Sequence, residues 1–146
     1  MEERKVKILK DAGFNAIRSA HNPASKALLS ACDKYGMYVM DEAFDQWQFM
    51  KVEYDYSIYF DEQHEADLRA MIRKDISHPS VIMYSIGNEI GDTGKQSGVE
   101  ISRELARICH EEDNTRPVVN CINPVVSSMG GSKSKCTSLD LSLIHI

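Results

Sequence analysis

His78-Pro79-Ser80-Val81-Ile82-Met83-Tyr84-Ser85-Ile86-Gly87-Asn88-Glu89 is the stretch that decides the fold. From Val81 to Ile86 it is apolar but for one serine, with a proline before it and a glycine after. A short continuous apolar run so bounded reads as a strand covered on both faces. Leu68, Met71, Ile72 and Ile76 precede it at helical spacing, and His78-Pro79 stops that helix. A second helical pattern follows through Ile101, Leu105, Ile108 and Cys109 and closes near Asn114. Arg116-Pro117-Val118-Val119-Asn120-Cys121 then begins another strand.

The same alternation extends back toward the N-terminus. Residues 2–12 carry Val6, Ile8 and Leu9 on one side, with Gly13 where a helix-ending glycine belongs. Phe14 to Ala20 reads as a strand broken by His21-Asn22-Pro23. Leu28, Ala31, Cys32 and Tyr35 fall on one helix face, Gly36 ends it, and Met37-Tyr38-Val39-Met40 is the next strand. Residues 43–60 read as a long aromatic-rich loop, and irregular loops of that length are often functional. The order α-β-α-β-α-β-α-β predicts a parallel sheet covered by helices.

Two architectures meet that pattern, a doubly wound open sheet and a (β/α)8 barrel. A nucleotide-binding sheet would place a glycine-rich phosphate loop after a strand. Here the strand ends carry His21-Asn22-Pro23, Asp41-Glu42-Ala43 and Gly87-Asn88-Glu89. Ionisable strand ends suit a barrel whose active site gathers at its C-terminal face. A complete barrel needs about 200 residues or more. The expected fold is therefore α/β, with these four strands as about half of a (β/α)8 TIM barrel.

Composition narrows the function. The 146 residues hold 17 Lys+Arg against 22 Asp+Glu, a formal charge of −5, with 42% hydrophobic and 27% charged residues. That balance excludes collagen-like and wholly disordered classes and argues against a nucleic-acid partner, which needs a basic face. No apolar run approaches the ~18 residues of a membrane span, and no signal peptide is visible. Cys32, Cys109, Cys121 and Cys136 form no Cys-x-x-Cys pair and read as buried or free thiols, which favours a reducing, cytoplasmic compartment without fixing it.

Chemistry concentrates at the strand ends. Glu89 follows a buried strand and its glycine, so its carboxylate can emerge half-buried at the rim and protonate a leaving oxygen. Asn88 beside it can bond a substrate hydroxyl. The competing reading is that both merely cap a turn. An Arg18 turned into a barrel requires a carboxylate partner. It belongs either to the site or to a structural ion pair with Asp41 or Glu42. Those two carboxylates alternate across the strand, so at most one faces the site. His21 alone reads as a loop histidine. Trp47 is the natural sugar platform of the aromatic loop, against bland packing. His64, His78 and His110 read as surface or capping residues, and Glu111-Glu112-Asp113 as a solvated helix end.

Three of these segments carry a resemblance. Gly13 to Pro23, Tyr35 to Asp45, and His78 to Glu89 resemble, in order and spacing, the catalytic barrel of glycoside hydrolase family 2. That family contains beta-galactosidases, beta-glucuronidases and beta-mannosidases. The resemblance implies a retaining exo-glycosidase with Glu89 as general acid/base and Asn88 on the hydroxyl next to the anomeric carbon. It implies that Arg18 orients the nucleophile, that His21 lines the sugar subsite, and that Asp45 and Trp47 shape it. The nucleophile is expected on a later strand beyond this chain, and the family's N-terminal domains and first barrel strand before it. The resemblance thus implies a partial (β/α)8 TIM barrel from about helix 1 to strand 5, with Met1 as an internal methionine. Ser-Ala-His-Asn-Pro and Asp-Glu-Ala-Phe-Asp resemble beta-galactosidase-type members most. The partner expected is a carbohydrate, with no cofactor or metal from these residues and a homo-oligomer left open for the complete enzyme.

Residues 1–126 are expected to form the N-terminal half of the barrel and 127–140 a flexible loop. Leu141-Ser142-Leu143-Ile144-His145-Ile146 reads as translated sequencing adapter, with a frayed native terminus as the other reading. The remaining functional alternatives are a sugar-binding relative without turnover and a bare structural piece.

Overall fold

The structure is a computed structural model that describes residues 1–122. The readings made for Cys136 and for residues 127–146 lie outside the described residues. Helix α1 (Glu2–Asp11) leads into β1 (Ala16–Arg18), followed by α2 (Lys26–Tyr35) and β2 (Tyr38–Glu42). Helix α3 (Ser57–Asp75), β3 (Val81–Asn88), a one-turn 3-10 helix (Gly91–Gly94), α4 (Gln96–Glu112) and β4 (Val118–Cys121) complete it.

The four strands pair in parallel, in the spatial order β1-β2-β3-β4. A doubly wound sheet reverses its order at a switch point, whereas a barrel adds each new strand beside the last. The sequential order therefore decides for an arc of a barrel. Helix signals fall where the sequence puts them. Ser25 accepts the Leu28 N–H at the start of α2, and Gly36 closes it in the left-handed region at φ 65°.

One face of the arc forms the core. Val39, Tyr84, Ile86 and Val118 pack under Leu29, Cys32, Leu68, Ile72, Leu105, Ile108 and Cys109 of the helices, all buried. The opposite face carries Arg18, Met40, Met83, Val119 and Cys121, none of them fully buried. Strands covered on both faces were the expectation. In a barrel the inner face is filled by side chains of the other strands, and four strands supply only part of that filling.

Four other expectations change. Strand β1 is three residues long rather than the seven from Phe14 to Ala20, because it lies at the edge of the arc and pairs only with β2. The aromatic loop ends at Tyr56, since α3 begins at Ser57, whose N–H is accepted by Asp55. Asp113 is not a solvated helix end. It is buried, accepts from the Tyr84 hydroxyl at 2.9 Å and pairs with Arg116, while Glu112 pairs with Arg69 and Arg73. His64 likewise stacks on Phe60 rather than standing at the surface. Cys32, Cys109 and Cys121 are free thiols.

Candidate active site

Period-two alternation sends Glu42 and Ser85, paired in the β2–β3 register, to the inner face, and Arg18 of β1 reaches Glu42. Arg18 Nε and Nη2 donate to the two Glu42 carboxylate oxygens at 2.9 and 3.0 Å, a two-point ion pair. Glu42 is fully buried and also accepts from Ser85 Oγ at 2.7 Å. His21 Nδ1 lies 2.6 Å from Glu42 Oε1, a contact that requires the proton on Nδ1. Asp41, on the other side of the strand, takes the Ala24 N–H and the Ser19 hydroxyl instead. One of the two carboxylates faces the site, and it is Glu42.

The network continues to the end of β3. Arg18 Nη2 donates to Asn88 Oδ1 at 2.7 Å, and Asn88 Nδ2 donates to Asp45 Oδ1 at 2.9 Å. The Asn88 amide is thus fixed, oxygen toward Arg18 and nitrogen toward Asp45. Lys51 Nζ donates to Asp45 Oδ1 at 2.8 Å and to the Asn88 carbonyl at 2.7 Å. Burial by itself would raise the Asp45 carboxyl, but the bonds from Lys51 and Asn88 outweigh it and hold it below its ordinary value.

Glu89 takes the next position with φ 47°, in the left-handed region that residues with a Cβ seldom occupy. Its N–H donates to the Cys121 carbonyl at 2.7 Å. A register shift in the β3–β4 pairing lies between Ser85 and Asn88, where an irregularity can re-aim a side chain. The Glu89 side chain is exposed rather than half-buried, because four strands wall only part of the rim.

Arg18, His21, Asp45 and Asn88 are therefore brought together, with Glu89 beside them. Trp47 is not. It has no exposed surface, its indole N–H donates to the Ile86 carbonyl at 2.8 Å, and it packs on Phe60. A ring without a free face cannot be a sugar platform, so Trp47 is core. Sequence reasoning did not single out Lys51 or Ser85. Ser85 carried a findable signal, as the polar interruption of an apolar strand. Lys51 carried none, since nothing in an irregular loop tells which side chain folds back. Among the described residues no three His, Cys, Asp or Glu side chains converge as a metal site, and no helix is long and apolar enough to cross a membrane.

Residues 2–138 match the profile of the glycosyl hydrolases family 2, TIM barrel domain. The chain belongs to this family. Against the crystal structure of a family 2 member from Bacteroides cellulosilyticus it superposes with a TM-score of 0.84 at 48% identity, covering 94% of this chain and 17% of that one. It is 53% identical over 88 residues to Beta-galactosidase BoGH2A of Bacteroides ovatus, covering 60% of this chain and 10% of that protein. It is 44% identical over 86 residues to a Putative beta-glucuronidase of Formosa agariphila, covering 58% of this chain and 8% of that protein. The chain thus spans about a tenth of the length of these two relatives.

Proposed function

We propose that these residues are the acid/base half of the catalytic barrel of a retaining exo-glycosidase that hydrolyses terminal β-linked sugars, β-galactosides before others. The observation that carries this reading is the end of β3. There the fixed Asn88 amide is followed at once by the exposed Glu89.

In the first step Glu89 donates its proton to the glycosidic oxygen as that bond breaks, while a second carboxylate attacks the anomeric carbon. In the second step Glu89, now a carboxylate, takes a proton from the water that releases the sugar. The nucleophile must stand about 5–5.5 Å from Glu89. Among the described residues Glu42 is committed to Arg18, His21 and Ser85, and Asp45 to Lys51 and Asn88. We assign the nucleophile to a later strand of the same barrel, where the Arg18 Nη1 edge, which neither Glu42 nor Asn88 uses, orients it. Asp45 takes one of the two Asn88 Nδ2 hydrogens, and the other serves the hydroxyl next to the anomeric carbon. His21, held through Nδ1, lines the sugar subsite.

The name of the Bacteroides ovatus relative supports β-galactosides, and that of the Formosa agariphila relative supports β-glucuronides as the second reading. The test uses the complete enzyme that carries these residues, with 4-nitrophenyl β-galactoside, β-glucuronide and β-mannoside. Galactoside should give the highest kcat/KM, and a higher value for glucuronide selects the second reading. Glu89→Gln should lose about 10²–10⁴-fold on a substrate with a poor leaving group. Azide, which needs no general base, should restore its turnover of an activated substrate as the β-glycosyl azide. A Glu89→Gln enzyme with unchanged kinetics would end the reading.

A further inference from the structure

The peptide that joins Asn88 to Glu89 is held at both ends. Its carbonyl accepts from Lys51 Nζ at 2.7 Å, and its N–H donates to the Cys121 carbonyl at 2.7 Å. Rotating that peptide plane would change φ of Glu89 and carry it out of the left-handed region, the direction its own Cβ favours. It would also swing the carboxylate away from where β3 now aims it. The bond to β4 resists this from one side, and the Lys51 ammonium resists it from the other.

Lys51 is itself well placed to resist. Its backbone N–H and that of Val52 donate to Asp55 Oδ2 at 2.7 and 3.1 Å. Two residues earlier the Phe49 N–H donates to the buried Asp92 carboxylate at 2.9 Å, and the Phe49 ring lies where a Cβ on Gly91 would meet it at 2.5 Å. The loop is thus pinned on both sides of Lys51, whose side chain is 26% exposed. An ammonium can direct its donors to separate acceptors, and here it serves the Asp45 carboxylate and the Asn88 carbonyl together.

We infer that Lys51 is a positioning residue for proton transfer: by bridging Asp45 and the Asn88 carbonyl it sets the plane of the Asn88–Glu89 peptide and so the aim of the Glu89 carboxylate. This rests on the acid/base reading of Glu89. Lys51 touches no reacting atom, and it acts through the peptide that carries the acid. Its effect is therefore confined to steps in which Glu89 gives or takes a proton, and kcat/KM reads the first of them.

The experiment is a leaving-group series on the complete enzyme, with aryl β-glycosides of the sugar it turns over best. Lys51→Met keeps the length of the side chain and removes the donors. It should lose about 100-fold in kcat/KM on the unsubstituted phenyl glycoside, the scale of a misplaced catalytic group. On the 2,4-dinitrophenyl glycoside, which leaves without a proton, it should lose under about threefold, because that step does not draw on the general acid. Lys51→Arg, which still donates to both acceptors, should recover most of the loss. Damage to folding alone would lower the active fraction equally for every leaving group. An equal loss across the series, or no loss, overturns the inference. Glu89→Gln is measured in parallel. If it shows the leaving-group dependence and Lys51→Met does not, only the role of Lys51 falls. If Glu89→Gln shows none, the acid/base reading falls and takes the Lys51 inference with it.

Discussion

Trp47 illustrates how a residue type can point one way and its surroundings another. A tryptophan in a rim loop offers a broad apolar face, but this one spends both faces on the core and its N–H on the Ile86 carbonyl. Trp47→Phe in the complete enzyme should leave that carbonyl unsatisfied and cost about 1–3 kcal/mol, read as a lower thermal midpoint. KM for the aryl glycoside should not change. A tenfold rise in KM at an unchanged midpoint would return the ring to the sugar site. Arg18 and Glu42 set a second residue-scale test. Glu42 is fully buried and Arg18 is 33% exposed, so removing the arginine leaves a charge in the interior with only His21 and Ser85 beside it. Arg18→Met should cost about 3 kcal/mol, the lower end for breaking a buried pair because part of the arginine is already in water. The double variant Arg18→Met, Glu42→Leu should be more stable than Arg18→Met alone. If the two losses simply add, the pair is not the source.

Between elements, β2 and α3 meet at two fully buried carboxyls, Asp41 and Asp75. Asp41 Oδ2 receives no donor among the described residues and faces Asp75, an arrangement that asks for a proton between the two acids. Burial first, and then the Asp75 carboxylate beside it, pushes Asp41 up to about 7, while Lys74 holds Asp75 to the Ala24 carbonyl. Unfolded, Asp41 would lose its proton near pH 4. Between about 4 and 7 the folded protein therefore keeps a proton that the unfolded chain has released, and stability falls as pH rises through that window. The thermal midpoint of the complete enzyme should drop from pH 5 to pH 8, and Asp41→Asn, an amide that donates to Asp75 at any pH, should flatten that part of the slope. An unchanged slope would remove the pair as the cause. These elements also mark where the sequence was readable. Val81–Asn88, α2 and α4 announce themselves because burial imposes a period on them. The first turn of α3 does not, since Ile58 and Tyr59 are both exposed and the turn is started by Asp55. The short reach of β1 was hidden too, as edge position belongs to the sheet and not to the strand. Glu89, Asn88 and Arg18 stand out as candidates because strand ends are where a barrel does its chemistry, whereas His21 alone reads as a loop histidine. Lys51 does not stand out, because its position depends on how a whole loop folds back.

For the molecule as a whole, the arc of four strands has consequences for the 146-residue chain by itself. Among the described residues β1 and β4 each pair on one side only, and the inner face holds Met40, Met83, Val119 and Cys121 short of full burial. Open strand edges offer unpaired N–H and C=O groups to any neighbouring chain. Exposed Phe14, Tyr38, Phe49, Val52, Tyr54 and Ile58 add apolar surface to the same molecule. A closed barrel would remove the edges and fill the inner face with side chains from its other strands. Meeting other copies would bring the isolated chain closer to that condition. It should elute as a concentration-dependent mixture of oligomers under light scattering and bind a dye that reports exposed apolar surface. If, as proposed, Glu89 is the acid/base and the nucleophile stands on a later strand, it should also fail to turn over aryl β-glycosides above the rate of its own Glu89→Gln form, since acid catalysis without a correctly placed nucleophile completes neither step. A monodisperse monomer that unfolds cooperatively would mean that the arc closes its edges unaided. Glu89-dependent turnover by that monomer would mean that the chain supplies its own nucleophile, and the assignment of that residue to a later strand would have to be withdrawn.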